Sequence, residues 1–205
     1  MSESHEQMEH AEHAEHASHS NKRIALVIAI LALFLAFSET LGKSAQTAAL
    51  SDNIQASDLW AFFQAKTIRQ TVLKTAAEFK AIELASLNDA AAKGALAKQI
   101  DTWMSTIDRY ETDPASKEGR KELTERARAT EERRDINFAK YENYEMASAA
   151  FQIGIVLASA SVITGILALT YGAIALGAIG LAFTGFGLFA PHALEGLQHL
   201  LGAAG

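Results

Sequence analysis

The sequence predicts an all-α membrane protein: three transmembrane helices, with a helical, coiled-coil-like extramembrane region between spans one and two. Three observations carry this. Forty-four consecutive residues, Ala147 to Ala190, contain no Asp, Glu, Lys or Arg. A second run, Ile24 to Phe37, is fourteen residues without a polar side chain. Between them lies a charged middle rich in Ala, Glu, Lys, Gln and Arg, all good helix formers, with hydrophobic residues at helical spacing.

The long uncharged run is enough for two spans, since a hydrocarbon core of ~30 Å takes ~20 residues at ~1.5 Å rise. It reads as a hairpin of helices at 147–170 and 172–190, with Tyr171-Gly172 as the turn and Pro191 as the stop. The shorter run is extended by Ser38, Glu39, Thr40 and Leu41 and flanked by Lys22 and Arg23, whose long side chains reach the interface. It reads as an uncleaved span at 24–42, because the preceding residues are mostly acidic and make a poor signal-peptide n-region. Residues 1–23 form a tail, disordered or a frayed helix, and 191–205 a short interfacial C-terminus. Small residues recur every fourth position in the hairpin (Ala150, Gly154, Ala158; Ser161, Gly165; Ala173, Gly177), a spacing that lets helix backbones approach closely in lipid.

Within the 43–146 region three helices can be drawn. The first, from about Ala45 to Leu87, carries Ala61, Ala65, Ile68, Val72, Thr75, Phe79, Ile82 and Ser86 at alternating four- and three-residue spacing, an a/d-like stripe. Leu59, Trp60, Phe62 and Phe63 make its apolar arc too wide for one stripe, so two faces are expected to be covered. Asn88-Asp89 and Lys93-Gly94 punctuate its end. The second, from about Ala95 to Thr112, repeats the spacing with Leu96, Ile100, Trp103, Ile107 and Tyr110, and Asp113-Pro114 stops it. The third starts near Ser116 and has no breaker before the membrane, so one continuous helix into span two is expected. Its stripe is weak (Leu123, Ala127, Thr130, then Arg134), and its charge run reads as a solvated face with pairs such as Glu122–Arg126. These stripes suit either a local antiparallel three-helix bundle or packing against other subunits.

Function is less legible. The absence of cysteine excludes disulfides and thiolate chemistry. The net charge of −6 gives no footprint for nucleic acid. No nucleophile, base and orienting group fall together, and no Gly-rich phosphate loop follows a strand, so an enzyme is not expected. Glu39 and Gln152 are the polar groups of the spans. Without basic residues or paired carboxylates at mid-membrane, a substrate transporter is not expected and an oligomeric pore is disfavoured. His192, Glu195 and His199 share a helical face, which reads as an interfacial cap or a two-histidine, one-carboxylate metal face.

Five histidines lie between residues 5 and 19. The repeated Glu-His-Ala triplet turns 300° per step on a helix, so His10, His13, His16 and His19 spread around the circumference rather than converge. Neighbouring pairs suit only weak chelation of Zn²⁺, Ni²⁺ or Cu²⁺, and no other cofactor is implied. Protonation below an ordinary pKa of ~6.5 would also turn the tail from acidic to basic. A solubilising tail, weak metal binding and a pH response all stay open.

The His/Glu tail, NKRIALVIAILALFLAFSETLGKSAQ, SDLWAFFQAKTIRQ (Ser57 to Gln70), RYETDP, the ERRD run and YENYEMASAAFQIGIVLASASVITG together resemble an uncharacterised bacterial family, a domain-of-unknown-function family of small inner-membrane proteins. The resemblance implies a multi-pass protein of the bacterial inner membrane and brings no catalytic residues. It makes Ser57, Asp58, Trp60, Gln64, Lys66 and Arg69 a candidate interaction or packing surface. The expected role is that of a non-catalytic scaffold or assembly protein whose partners are the lipid bilayer and either further copies of itself or other membrane proteins. The alternative is a metal- or pH-responsive membrane regulator sensing through the tail.

Overall fold

The computed structural model describes the backbone of residues 2–193 and the side chains of residues 22–193. Four helices follow in order, α1 (Ser2–Ser86), α2 (Ala90–Glu111), α3 (Arg120–Thr164) and α4 (Leu167–Phe189), and among the described residues they are the only regular elements. α1, α3 and α4 are each long and apolar enough to cross a membrane. The tail, the first span and the first middle helix, expected as separate pieces, are one helix: α1 contains no proline, and Gly42 is its sole glycine. α1 already begins at Ser2, so the tail is helical from there on. The unbroken third helix is present as α3, starting at Arg120 rather than Ser116.

The chain divides into two compact units, Met1–Ala48 with Ile136–Gly205, and Ala49–Asp135. In the first, Ile24, Leu31, Ala147, Phe151, Ala158 and Ala173 form the core. Phe34 stacks on Phe151 with ring centroids 6.0 Å apart. The small-residue rows explain the closeness. Ala150, Ala158, Ala173, Gly154 and Gly177 are buried, and an ideal Cβ on Gly154 would lie 3.3 Å from the Ala173 carbonyl oxygen. Ser38, fully buried, and the partly buried Thr184 satisfy each other at 3.0 Å, as buried hydroxyls must. Outward, the order of a water-soluble protein is inverted: Leu26, Leu33, Phe37, Val156 and Ile163 are exposed.

The hairpin turn is not at Tyr171-Gly172. α3 ends at Thr164, Gly165 adopts φ +71°, and α4 begins at Leu167, so the second span is shorter and the third longer than expected. A left-handed residue is the usual way to end a helix, and glycine takes that conformation without a Cβ penalty. Ser161 Oγ reinforces the turn, donating to the Ile166 carbonyl at 3.0 Å and pairing with Thr170 Oγ1 at 2.7 Å. Gly172 serves packing instead: a Cβ there would touch Leu157 at 3.5 Å.

The second unit packs residues 49–86 of α1 with α2 and residues 120–135 of α3. Leu59, Leu123 and Ala127 form its centre, with Trp60, Phe62 and Phe63 against them. The weak stripe of the third helix is its best-buried one: Leu123 and Ala127 are fully buried and Thr130 nearly so. Leu96 and Ile107 of α2 are buried as its spacing implies. Lys93-Gly94 does not punctuate. Asp89 caps α2, its carboxylate accepting from the Ala92 amide at 2.9 Å, and the helix runs through both residues. The pair Glu122–Arg126 is replaced by longer reaches, Glu122 accepting from the Asp113 amide and Arg126 donating to the Lys117 carbonyl.

The a/d-like stripe of the first middle helix is the larger departure. Ala61, Ile68, Val72, Thr75, Phe79, Ile82 and Ser86 are exposed, and only Ala65 is partly covered. The face turned into the unit carries Ala56, Leu59, Lys66 and Ala77 instead. The inward face includes the aromatic arc at 59–63, whose Leu59, Trp60, Phe62 and Phe63 pack into the core of the unit.

The α2–α3 connection turns on Asp113. Its carboxylate accepts from the Ser116 amide and its carbonyl from the Lys117 amide. The Ser116 side-chain and backbone hydrogen bonds hold the carboxyl below its ordinary value of 3.8. A depressed carboxylate stabilises the turn above its unfolded pKa, and that stabilisation is lost as pH falls through the folded value. The Ser116 amide is therefore expected to lose hydrogen-exchange protection below about pH 3.8, and Asp113→Ala to show that loss already at neutral pH.

Candidate functional site

The segment Ser57–Gln70 of α1 has two faces. On the inner face, Trp60 Nε1 donates to Glu131 Oε1 at 2.9 Å and the indole meets Phe63 edge-on, centroids 5.6 Å apart. Lys66, six per cent exposed, reaches Glu118 at 3.6 Å and lies over the rings of Phe62 and Tyr110 at 5.0 and 5.7 Å. Aromatic faces and a carboxylate are what a desolvated ammonium requires. One step further along, Gln70 Nε2 donates to Glu111 Oε2 and to the Ile107 carbonyl, and its Oε1 accepts from Arg120 Nη1 at 2.6 Å. Arg120 also pairs with Glu111 at 2.7 Å and lies over Phe63 at 5.0 Å. This knot ties α1, α2 and α3 to one another and borders an open crevice of about 380 Å³ lined by Phe63, Glu111, Arg120, Lys121, Thr124 and Glu125.

The candidate surface is thus divided. Trp60 and Lys66 point into the unit, whereas Ser57, Asp58, Gln64 and Arg69 are exposed. Those four lie beside the outward stripe, on which Ile54, Ile68, Val72, Phe79 and Ile82 keep 56%, 65%, 61%, 69% and 71% exposure. Large apolar side chains left this open in a heptad register are rarely found on the water-facing surface of a monomer. Gln70, Glu111 and Arg120 were not distinguishable in the sequence. Each is polar on a helix rich in polar residues, and only their convergence sets them apart.

Glu39 and Gln152, the carboxylate and the amide expected within the spans, meet: Gln152 Nε2 donates to Glu39 Oε1 at 3.3 Å. The side chains of His10, His13, His16 and His19 lie outside those described, as do Glu195 and His199. Among the described residues, no three His, Asp or Glu side chains are placed to hold a metal ion.

A domain of unknown function, DUF4337, matches residues 20–190. The chain belongs to the DUF4337 family. The match takes in the apolar stretches of α1, α3 and α4 and the charged middle between them, and so includes both faces of Ser57–Gln70. For DUF4337 itself the description names no activity. No curated protein and no solved structure matches the chain.

Proposed function

We propose that the protein is a non-catalytic scaffold or assembly protein of the bacterial inner membrane. Its α1, α3 and α4 cross the bilayer, and it self-associates through the outer stripe of α1. The observation that supports this is the heptad Ala61, Ala65, Ile68, Val72, Thr75, Phe79, Ile82 and Ser86, exposed at every position but the partly covered Ala65. Alternating three- and four-residue steps keep one seam facing a partner helix when two helices supercoil. Arg69, Glu78 and Glu83 flank the seam, so it is suited to an aqueous interface rather than to lipid, and charges in such flanks set partner choice.

The test is the mass of the full chain in nanodiscs at micromolar concentration. An oligomer is expected for the wild type. The triple substitution Ile68→Glu, Val72→Glu and Phe79→Glu should give a monomer with unchanged helix content, because all three side chains are exposed within the chain. A monomeric wild type would overturn the proposal.

A further inference from the structure

The first unit holds a polar crevice of about 320 Å³ between α1 and α3. It is built by two polar stripes. Glu39, Lys43 and Gln46 come from α1, and Tyr141, Glu145 and Ser148 from α3. Both sets follow four- and three-residue steps, so each lies along one face of its helix. The stripes begin where the charge-free runs stop: Phe37 ends the run of α1, and Ala147 begins that of α3. α4 ends at the same level, its Thr184 bonded to Ser38 and the Pro191 carbonyl accepting from Asn143 at 3.0 Å. In a chain whose apolar helices cross the bilayer, this is the depth of the lipid headgroups.

We infer that this crevice binds the headgroup of a zwitterionic phospholipid carrying a primary ammonium. Two carboxylates, Glu39 and Glu145, face one ammonium, Lys43, so the lining carries a net charge of −1 from these three side chains and disfavours a purely anionic headgroup. Glu39, Glu145 and the Ser148 hydroxyl are acceptors for a group with three N–H donors. Lys43 and the Gln46 amide are donors for phosphate oxygens, while the Tyr141 hydroxyl donates to the Glu145 carboxylate and holds it at the crevice. The volume lies at the low end of the range for small-molecule sites, about 300–1,000 Å³, which suits a headgroup whose acyl chains stay outside. Exposed Leu33 and Phe37 on α1 and Ile153 and Val156 on α3 supply the apolar surface for those chains. Among the described residues no third acid or imidazole joins the two carboxylates, so a metal ion is the poorer occupant.

The full chain in detergent is mixed with phosphatidylethanolamine, phosphatidylcholine and phosphatidylglycerol of matched acyl chains, and bound lipid is counted by native mass spectrometry. Phosphatidylethanolamine should bind about tenfold tighter than phosphatidylcholine, which has the same charge but no N–H donors. The double substitution Glu39→Gln and Glu145→Gln should bring the two within about twofold, and Lys43→Gln should weaken both. Equal binding of the two lipids to the wild type overturns the inference whether or not the variants fold. A preference that survives the double substitution overturns it too. Displacement of the lipid by soluble phosphorylethanolamine at comparable concentration would assign the crevice to a free ligand and overturn the lipid reading.

Discussion

Gly180→Leu is expected to unfold much of the first unit. A Cβ at this position would lie 2.7 to 2.9 Å from three ring atoms of Phe151. That ring is fully buried and stacked on Phe34, so it has no free direction in which to yield. Overpacking of this kind typically costs about 1–3 kcal/mol. The cost should fall near the lower end for Gly180→Ala and at or above the upper end for Gly180→Leu. The contact also predicts a rescue. Phe151→Leu alone opens a cavity and destabilises, yet together with Gly180→Ala it should lose less than the sum, by about 1–2 kcal/mol, within the range of coupling between touching residues. Reversible unfolding in detergent, followed by circular dichroism, measures all four corners of the cycle. Additive losses would show that α4 does not pack on Phe151 through Gly180.

Lys66→Glu is the second large effect, expected at about 3–5 kcal/mol, the scale for an uncompensated buried charge. The substitution puts a carboxylate into a site that is six per cent exposed. It faces Glu118 and the negative faces of Phe62 and Tyr110. Lys66→Met tests the cause. It keeps the stem packing and removes the charge, and the Glu118 left behind is half exposed and remains solvated. Its loss should stay near 1 kcal/mol, the worth of the ring contacts. Thermal unfolding of the full chain separates the two variants; similar losses would mean that the amine is held for volume and not for charge.

Both residues show where sequence reading succeeds and where it stops. The long apolar helices were legible because charge is absent over 147–190, and the small-residue rows marked real close approaches at Gly154 and Gly177. The position of the turn was not, since an aromatic–glycine pair at Tyr171-Gly172 and a lone Gly165 offer the same composition. The left-handed backbone at Gly165 depends on Ser161 and Thr170 closing around it. In the extramembrane region, heptad spacing identified a real stripe on α1 but not the side it faces. Lys66 and Gln70 are polar, and polarity in a linear pattern reads as surface. Their partial or full burial is possible only because Glu118, Glu111 and Arg120, distant in sequence, come back to meet them. The crevice stripes had a signal that periodicity supplies: Glu39, Lys43 and Gln46, and Tyr141, Glu145 and Ser148, repeat heptad steps in polar residues where apolar runs end.

The two-residue link at Gly165-Ile166 has a consequence for parity. It is too short for any excursion, so α3 and α4, if they cross as proposed, would enter and leave on one face of the bilayer. With α1 added, the proposed crossings number three, which is odd. The histidine-rich stretch before Ile24 and His192 after α4 then open onto different aqueous compartments. Under that proposal, a proton or metal ion on one side would meet the N-terminal histidines or His192, but not both.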